Sequence, residues 1–438
     1  MEGAIMSNVH TAEKADSLGC TPRGDHDRLL RLALRWKEIA SSDAMRVRKS
    51  QWKSLHDLRP ARPMILFETF SVSGYLDESD LKCETPLLRD VERTMLESIK
   101  HFEELGDDIV LEEHFRIPWK IGRSSYGVDI IETHAENSIG YKSNFPIADS
   151  ADLSALRPRS FGVDRKASLR LKEVLGDIFG ATLPVLLGNY DNFFPDIGFA
   201  PFTGNNFIGI TMDVFKLIGN ENMMLWPYDC PDRLHELMRF LTDDRLAFFA
   251  WIEREGLLDA NTDNQFAGPS SYGYTSELPG IGSKTGFKLA DVWGWAESQE
   301  TTQVSPSMFE EFFLPYIAEV GNLFGKTYYG CCEPVDDRFD LICKALPNLR
   351  TVSVSGWNDF GRMGDLLGGR FVYSRKPTPA FISGSYPDWE RAEKDLAATY
   401  RAARDGCLEL IVRDVYDVGG DLSRLKRWVD LAKKTMQL

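Results

Sequence analysis

Histidine is missing from the last 200 residues of this chain: its seven histidines are His10, His26, His56, His101, His114, His134 and His235, in 438 residues. Chemistry centred there must use Cys, Glu, Asp or Tyr. Cysteine is also sparse, at seven, and scattered apart from one adjacent pair. That is no disulfide framework, and it points to a reducing compartment. No run approaches the roughly 18 apolar residues that span a bilayer, and Met1 to Cys20 has no apolar signal core. We expect a cytoplasmic protein with no membrane partner. Dense Lys/Arg runs are absent and the formal net charge is -15, which opposes phosphate backbones. Nucleic acid is excluded as a partner. The dinucleotide fingerprint, CxxC and HExxH are missing too, and Gly280-Ile-Gly-Ser-Lys-Thr-Gly286 lacks the Gly-Lys-Ser/Thr ending of a phosphate loop.

What is present suits one large folded unit. Hydrophobic residues make up 43% and charged residues 27%, a globular balance. The length passes the roughly 250–300 residues at which single cores stop growing, but barrels exceed about 400 residues as one unit. Residues 1–27 have no period and read as a mobile tail. Residues 28–60 carry helical spacing (Leu29, Leu32, Trp36, Ile39, Met45, Trp52, Leu55) and read as an N-terminal helical extension, able to cap the fold or support a homodimer.

From residue 61 to 438 short apolar runs alternate with helical patterns. Strands are expected at Pro63–Phe67, Asp108–Glu112, Leu183–Gly188, Asp291–Trp295, Thr327–Gly330, Thr351–Val354, Phe371–Tyr373, Ala380–Ile382 and Leu408–Val412. Helices are expected at 88–105, 167–179, 232–255, 306–324, 338–345, 363–367, 389–404 and 421–438, with long aromatic loops at 115–144 and 189–206. Near-eightfold alternation predicts a (β/α)8 TIM-type barrel with an N-terminal helical extension.

Barrel active sites gather at the C-terminal ends of strands. Glu68, His114, Gln299 with Glu300, Cys331-Cys332-Glu333, Trp357, Arg375 and Asp414 all follow expected strands. Thiolates with carboxylates suit Zn²⁺; a buried thiol pair is equally ordinary core. Adjacent residues of an extended chain point to opposite faces, so one cysteine facing the site and one packing is the expected division. Arg375 reads either as part of a solvated turn or as a bidentate anchor for an anion. Trp119, Tyr126, Tyr329 and Trp357 are candidate substrate walls, with Phe193, Phe194, Phe202, Phe207, Tyr272 and Tyr274 as further loop aromatics.

The runs Tyr328-Tyr-Gly-Cys-Cys-Glu-Pro334, Pro347-Asn-Leu-Arg-Thr-Val-Ser-Val354 and Tyr373-Ser-Arg-Lys-Pro377 resemble the uroporphyrinogen decarboxylase-like superfamily, in the branch of corrinoid-dependent methyltransferases. The resemblance runs from about Arg62 to the C-terminus. It implies a zinc-dependent methyltransferase moving a methyl group between a small methylated substrate and a corrinoid (cobalamin) carried by a separate protein. Tyr329-Gly-Cys331 stands where zinc-bearing members have His-x-Cys, so Cys331, Cys332, Glu300 and Glu333 form the expected metal set. Glu300, Glu68, His114 and Asp414 are the expected catalytic groups, and Trp119, Tyr126, Gln299, Tyr329, Trp357 and Arg375 the expected substrate contacts. The alternatives are a metal-independent decarboxylase, a lyase anchored by Arg375, and a barrel that only binds a small molecule.

Overall fold

The computed structural model describes residues 22–134, 141–188 and 206–438. Eight parallel strands organise it: β1 (Met64–Phe67), β2 (Phe115–Pro118), β3 (Val185–Gly188), β4 (Trp293–Ala296), β5 (Lys326–Tyr329), β6 (Leu349–Val354), β7 (Val372–Arg375) and β8 (Cys407–Val412). Six form one parallel sheet in the order β1-β8-β7-β6-β5-β4, and β2 and β3 form a parallel pair. The fold is mixed α/β. Helices α1 (Arg23–Ala40), α2 (Asp43–His56), α3 (Pro86–Glu104), α4 (Arg165–Phe179), α5 (Ile210–Asp229), α6 (Pro231–Arg254), α7 (Pro306–Phe312), α8 (Leu314–Gly321), α9 (Phe339–Ala345), α10 (Phe360–Leu367), α11 (Trp389–Ala403) and α12 (Ser423–Met436) precede or connect these strands.

Several expectations are corrected, each for a local reason. The helical pattern over residues 28–60 is two helices, because the Ser42 side chain accepts the Met45 N–H and starts α2 afresh. Helix α1 begins at Arg23, so residues 23–27 of the expected tail are helical, while residues 1–21 lie outside the described residues. The helix over 306–324 breaks at Phe313, ahead of Pro315 in the first turn of α8. Ala380 and Phe381 lie in a 3₁₀ turn opened by Pro379 rather than in a strand. Helix α5 went unanticipated because its period is interrupted, by Gly219 at φ 76° and by Pro227.

The strand expected at Asp108–Glu112 begins instead at Phe115, inside the stretch read as a loop. Acidic side chains take over that edge of β1: Ile65 N–H donates to Asp108 Oδ2 and Phe67 N–H to Asp107 Oδ2, both at 2.8 Å. Carboxylates thus stand where a neighbouring strand's carbonyls would.

Register sorts the side chains. Ser353, Ser374, Glu409 and Met64 stand side by side in one row, and Val354, Arg375, Leu410 and Ile65 in the next. Successive residues face opposite ways, and Arg375 reaches Asp395 (2.6 Å) and Thr399 (3.1 Å) of α11. Its row is therefore the outer, helix-covered face; the serine and glutamate row is inner. Below it α2 ends in His56, fully buried with Nε2 3.4 Å from Glu409 Oε2.

Candidate active site

Gly330 ends β5 at φ +100°, where a Cβ would lie 3.0 Å from the Ser353 side chain. Only glycine makes this turn without strain. It delivers two thiols to the rim. The next residues are pinned: Cys331 N–H donates to Glu333 Oε2 (2.8 Å), and the Cys331 carbonyl accepts from Ser353 Oγ (2.7 Å). The two Sγ atoms are 3.7 Å apart and unbridged, Cys331 buried and Cys332 exposed. Contact with Cys331 lowers the Cys332 thiol, while the same contact and burial raise Cys331 well above the usual range. Cys332 is the more acidic partner.

Beside the thiols stand three carboxyls. Glu333, almost fully buried, accepts from Ser298 N–H at 2.9 Å as well as from Cys331 N–H, and burial raises it. Glu297 accepts from Gln299 N–H (2.8 Å), and Thr211 Oγ1 donates to Glu297 Oε1 (3.3 Å) and Glu300 Oε2 (2.8 Å), bridging the two. Burial first, then the charges of Glu300 and Glu333, push Glu297 well above the carboxylate range. Both causes favour the protonated form of Glu297. Above it opens a cavity of about 730 Å³ lined by Glu300, Glu333, Cys332, Gln299, Met212, Phe215 and Trp357, among others, with no Lys or Arg among the described residues of its lining. Trp357 is 80% exposed at its lip.

Across the thiols lies a second group. Arg413 Nε is 3.0 Å from Asp414 Oδ2 and 3.9 Å from Glu68 Oε2; Glu68 also accepts from the Ser270 hydroxyl, and Asp414 from Tyr416 OH at 3.1 Å. Lys376 is buried beneath, donating to Ser374 Oγ at 2.9 Å. Glu300, Gln299, Cys331, Cys332, Glu333 and Trp357 therefore gather at one site, with Glu68 and Asp414 flanking it.

Other expected residues lie elsewhere. His114 precedes β2 instead of following a strand, because the strand begins later than the pattern suggested; its Nε2 is 3.6 Å from Asp263. Against the cost of burial, Arg116 and His114 hold Asp263 down at about 2. Tyr126 is buried, donates to Asp213 (2.6 Å) and lies under the Arg159 guanidinium, 4.2 Å from its ring centre. Trp119 follows β2 with Arg165 5.4 Å over its ring. Tyr329 occupies the outer face, fully buried, its hydroxyl 2.7 Å from Ser298 Oγ. Arg375 is turned to α11 and stacks on Phe360 at 4.2 Å, away from the rim. Of the loop aromatics, Phe207, Tyr272 and Tyr274 are buried, while Phe193, Phe194 and Phe202 lie outside the described residues.

The four expected zinc ligands share a rim without forming a shell. Both Glu333 oxygens are taken by backbone N–H groups, and among the described residues no three His, Cys, Asp or Glu side chains converge to hold a metal ion. Sequence reasoning missed Glu297 and Lys376. Glu297 was within reach of the strand-end rule, one residue past β4, and Lys376 was within reach of alternation from Ser374.

No family model matches the chain, and no curated protein matches it. Among solved structures, a methyltransferase from Methanosarcina mazei is similar over 88% of this chain and 98% of that one, at 12% identity and a TM-score of 0.46. Among the described residues no helix is long and apolar enough to cross a membrane.

Proposed function

We propose that this chain is a methyltransferase whose substrate is a small N-methylated ammonium ion, bound in the rim cavity. One observation carries the reading: among the described residues lining a cavity of about 730 Å³ every charged side chain is acidic, and Met212, Phe215, Cys332 and Trp357 share its walls with the neutral polar Asn220, Gln299 and Thr302. Carboxylates and aromatic faces together recognise methylated ammonium groups, and the volume suits a small molecule. Glu300 pairs with the cation, and Phe215 and Trp357 cover its methyl groups. As the methyl group leaves, a proton on Glu297, the form its burial favours, meets the freed nitrogen lone pair. The amine then departs as a cation, a general-acid role.

The acceptor we propose is the corrinoid of a separate protein, which the resemblance of Tyr328 to Pro334 implies; no step is drawn through zinc. Eight parallel strands in this order also support closure into a (β/α)8 barrel, with β2 and β3 filling the gap between β1 and β4. The decarboxylase alternative loses its anchor, since Arg375 faces α11.

The test offers tetramethylammonium, choline and trimethylamine to the full chain with reduced free cobalamin. Methylcobalamin absorbance should grow with at least one of them, and tetramethylammonium should raise the melting temperature. No methyl transfer and no thermal shift with all three would overturn the reading.

A further inference from the structure

Alternation along an extended chain would turn Cys331 and Cys332 to opposite faces. The turn that Gly330 makes at φ +100° brings them together instead, with the two Sγ atoms 3.7 Å apart and no bond between them. Cys331 is tied on both sides, its N–H donating to Glu333 and its carbonyl accepting from the Ser353 hydroxyl. Methyl transfer as proposed above gives this pair no task.

The spacing decides what the two sulfurs can share. A disulfide needs them about 2.05 Å apart, and the tied Cys331 peptide opposes that approach. With bonds of about 2.3 Å, the usual thiolate–zinc length, one atom placed between sulfurs 3.7 Å apart makes an S–X–S angle of roughly 105–110°. A two-coordinate ion with collinear bonds would need about 4.6 Å on the same bond length. The shared atom is therefore bent. A tetrahedral ion needs two further ligands, yet among the described residues no three His, Cys, Asp or Glu side chains converge, and both Glu333 oxygens already accept backbone N–H groups. What fits is a thiophilic centre that asks for only two protein sulfurs and brings its third substituent with it. Trivalent arsenic bearing one organic group has that valence and a bent, pyramidal geometry.

Room for the organic group lies beside the thiols. Cys332 is exposed and lines the cavity of about 730 Å³, whose wall also includes Met212, Phe215 and Trp357. A substituent pointing from the arsenic into this space meets thioether and aromatic surface.

We propose that Cys331 and Cys332 form a chelating dithiol site for monosubstituted trivalent arsenicals, R–As(OH)2. Each sulfur displaces one hydroxide from arsenic: an As–S bond forms as an As–O bond breaks, and the S–H proton leaves with the hydroxide as water. Two waters are released per adduct, the arsenic stays trivalent, and no oxidant or reductant takes part. The exposed Cys332 makes the first bond and Cys331 closes the ring.

The test titrates phenylarsonous acid into the full chain, kept reduced with a phosphine, and follows the adduct by intact mass and peptide mapping. One arsenical per chain should bind across Cys331 and Cys332; excess glutathione, a monothiol, should leave it in place, and 2,3-dimercaptopropanol should remove it. Cys332→Ser changes an exposed position, so the melting temperature should hold while binding weakens roughly a hundredfold or more, because the second bond is made at the high effective concentration of a neighbouring thiol. Arsenic found on Cys83, Cys230, Cys343 or Cys407 with the pair left free, an affinity unchanged in Cys332→Ser, or an adduct blocked by equimolar Zn²⁺ overturns the proposal. These readouts involve neither cobalamin nor an ammonium ion, so they stand apart from the methyl-transfer test.

Discussion

Arg375 and Lys376 are neighbours in the chain and opposites in environment. Arg375 is fully buried on the outer face, its guanidinium shared among Asp395, Thr399 and backbone carbonyls. The Lys376 amine, almost equally removed from water, makes a single hydrogen bond, to Ser374 Oγ, and the Glu409 carboxylate in the row below faces His56 at 3.4 Å. A cation surrounded by acceptors is held in place, and a buried amine with fewer of them gives up its proton more readily. The same contrast separates the outer face, where polar groups are paired, from the inner face and rim, where Glu297, Glu300 and Glu333 crowd like charges together. Residue type alone therefore does not identify a functional cation or acid; the face it is turned to does.

The contrast can be broken most severely at the rim. Glu297→Gln should cut methyl transfer roughly a hundred- to ten-thousandfold while tetramethylammonium still binds, because the proton is lost and the cavity kept. Rate measured beside binding by calorimetry decides this, and unchanged turnover would remove Glu297 from the mechanism. The same variant tests the sign of the electrostatics. Glu297 is raised in the folded chain, so its favourable contribution is complete below about pH 4.3 and is lost as pH rises above it. Melting temperatures should accordingly favour Glu297→Gln over the parent increasingly from pH 4.5 upwards, and a gap that narrows would contradict the assignment.

On the outer face Arg375→Ala should cost about 3–5 kcal/mol of stability, because Asp395 is left without its partner. Urea unfolding measures it, and a loss under 1 kcal/mol would mean that this face tolerates an unpaired charge after all. The smallest effect is expected at the lip. Trp357→Ala removes an 80% exposed ring, so stability should move by less than about 0.5 kcal/mol. Tetramethylammonium affinity should fall two- to fivefold, the worth of about 0.5–1 kcal/mol for an exposed cation–aromatic contact. Equal affinity would take Trp357 out of the site.

The parallel α/β rhythm was legible because short apolar runs ending in Gly or a charge recur between amphipathic helices; β1, β3 and β4 to β8 fall within a few residues of expectation. Position 108–112 misled because it is apolar and extended yet bonded through Asp107 and Asp108 side chains, which no periodicity records. At the rim, Glu300, Cys332 and Glu333 could be read from their places after strands. The roles of Tyr126 and Arg375 could not, since their partners Asp213 and Asp395 are distant in the chain or on another element. Glu297 and Lys376 could be placed by the strand-end rule and by alternation, but the neighbours each one meets come from pairing across the sheet.

The pairing of β1 with β8 joins residues about 345 positions apart, Phe67 to Val412. During synthesis, at roughly 5–20 residues per second, β1 emerges and then waits on the order of 20–70 s for the strand that completes its ladder. For that interval one edge of Met64–Phe67 is an open template, while the acidic side chains of Asp107 and Asp108 are available soon after it to occupy the other. Those two aspartates thereby act as an early guard for a nascent chain, long before the site they help position exists.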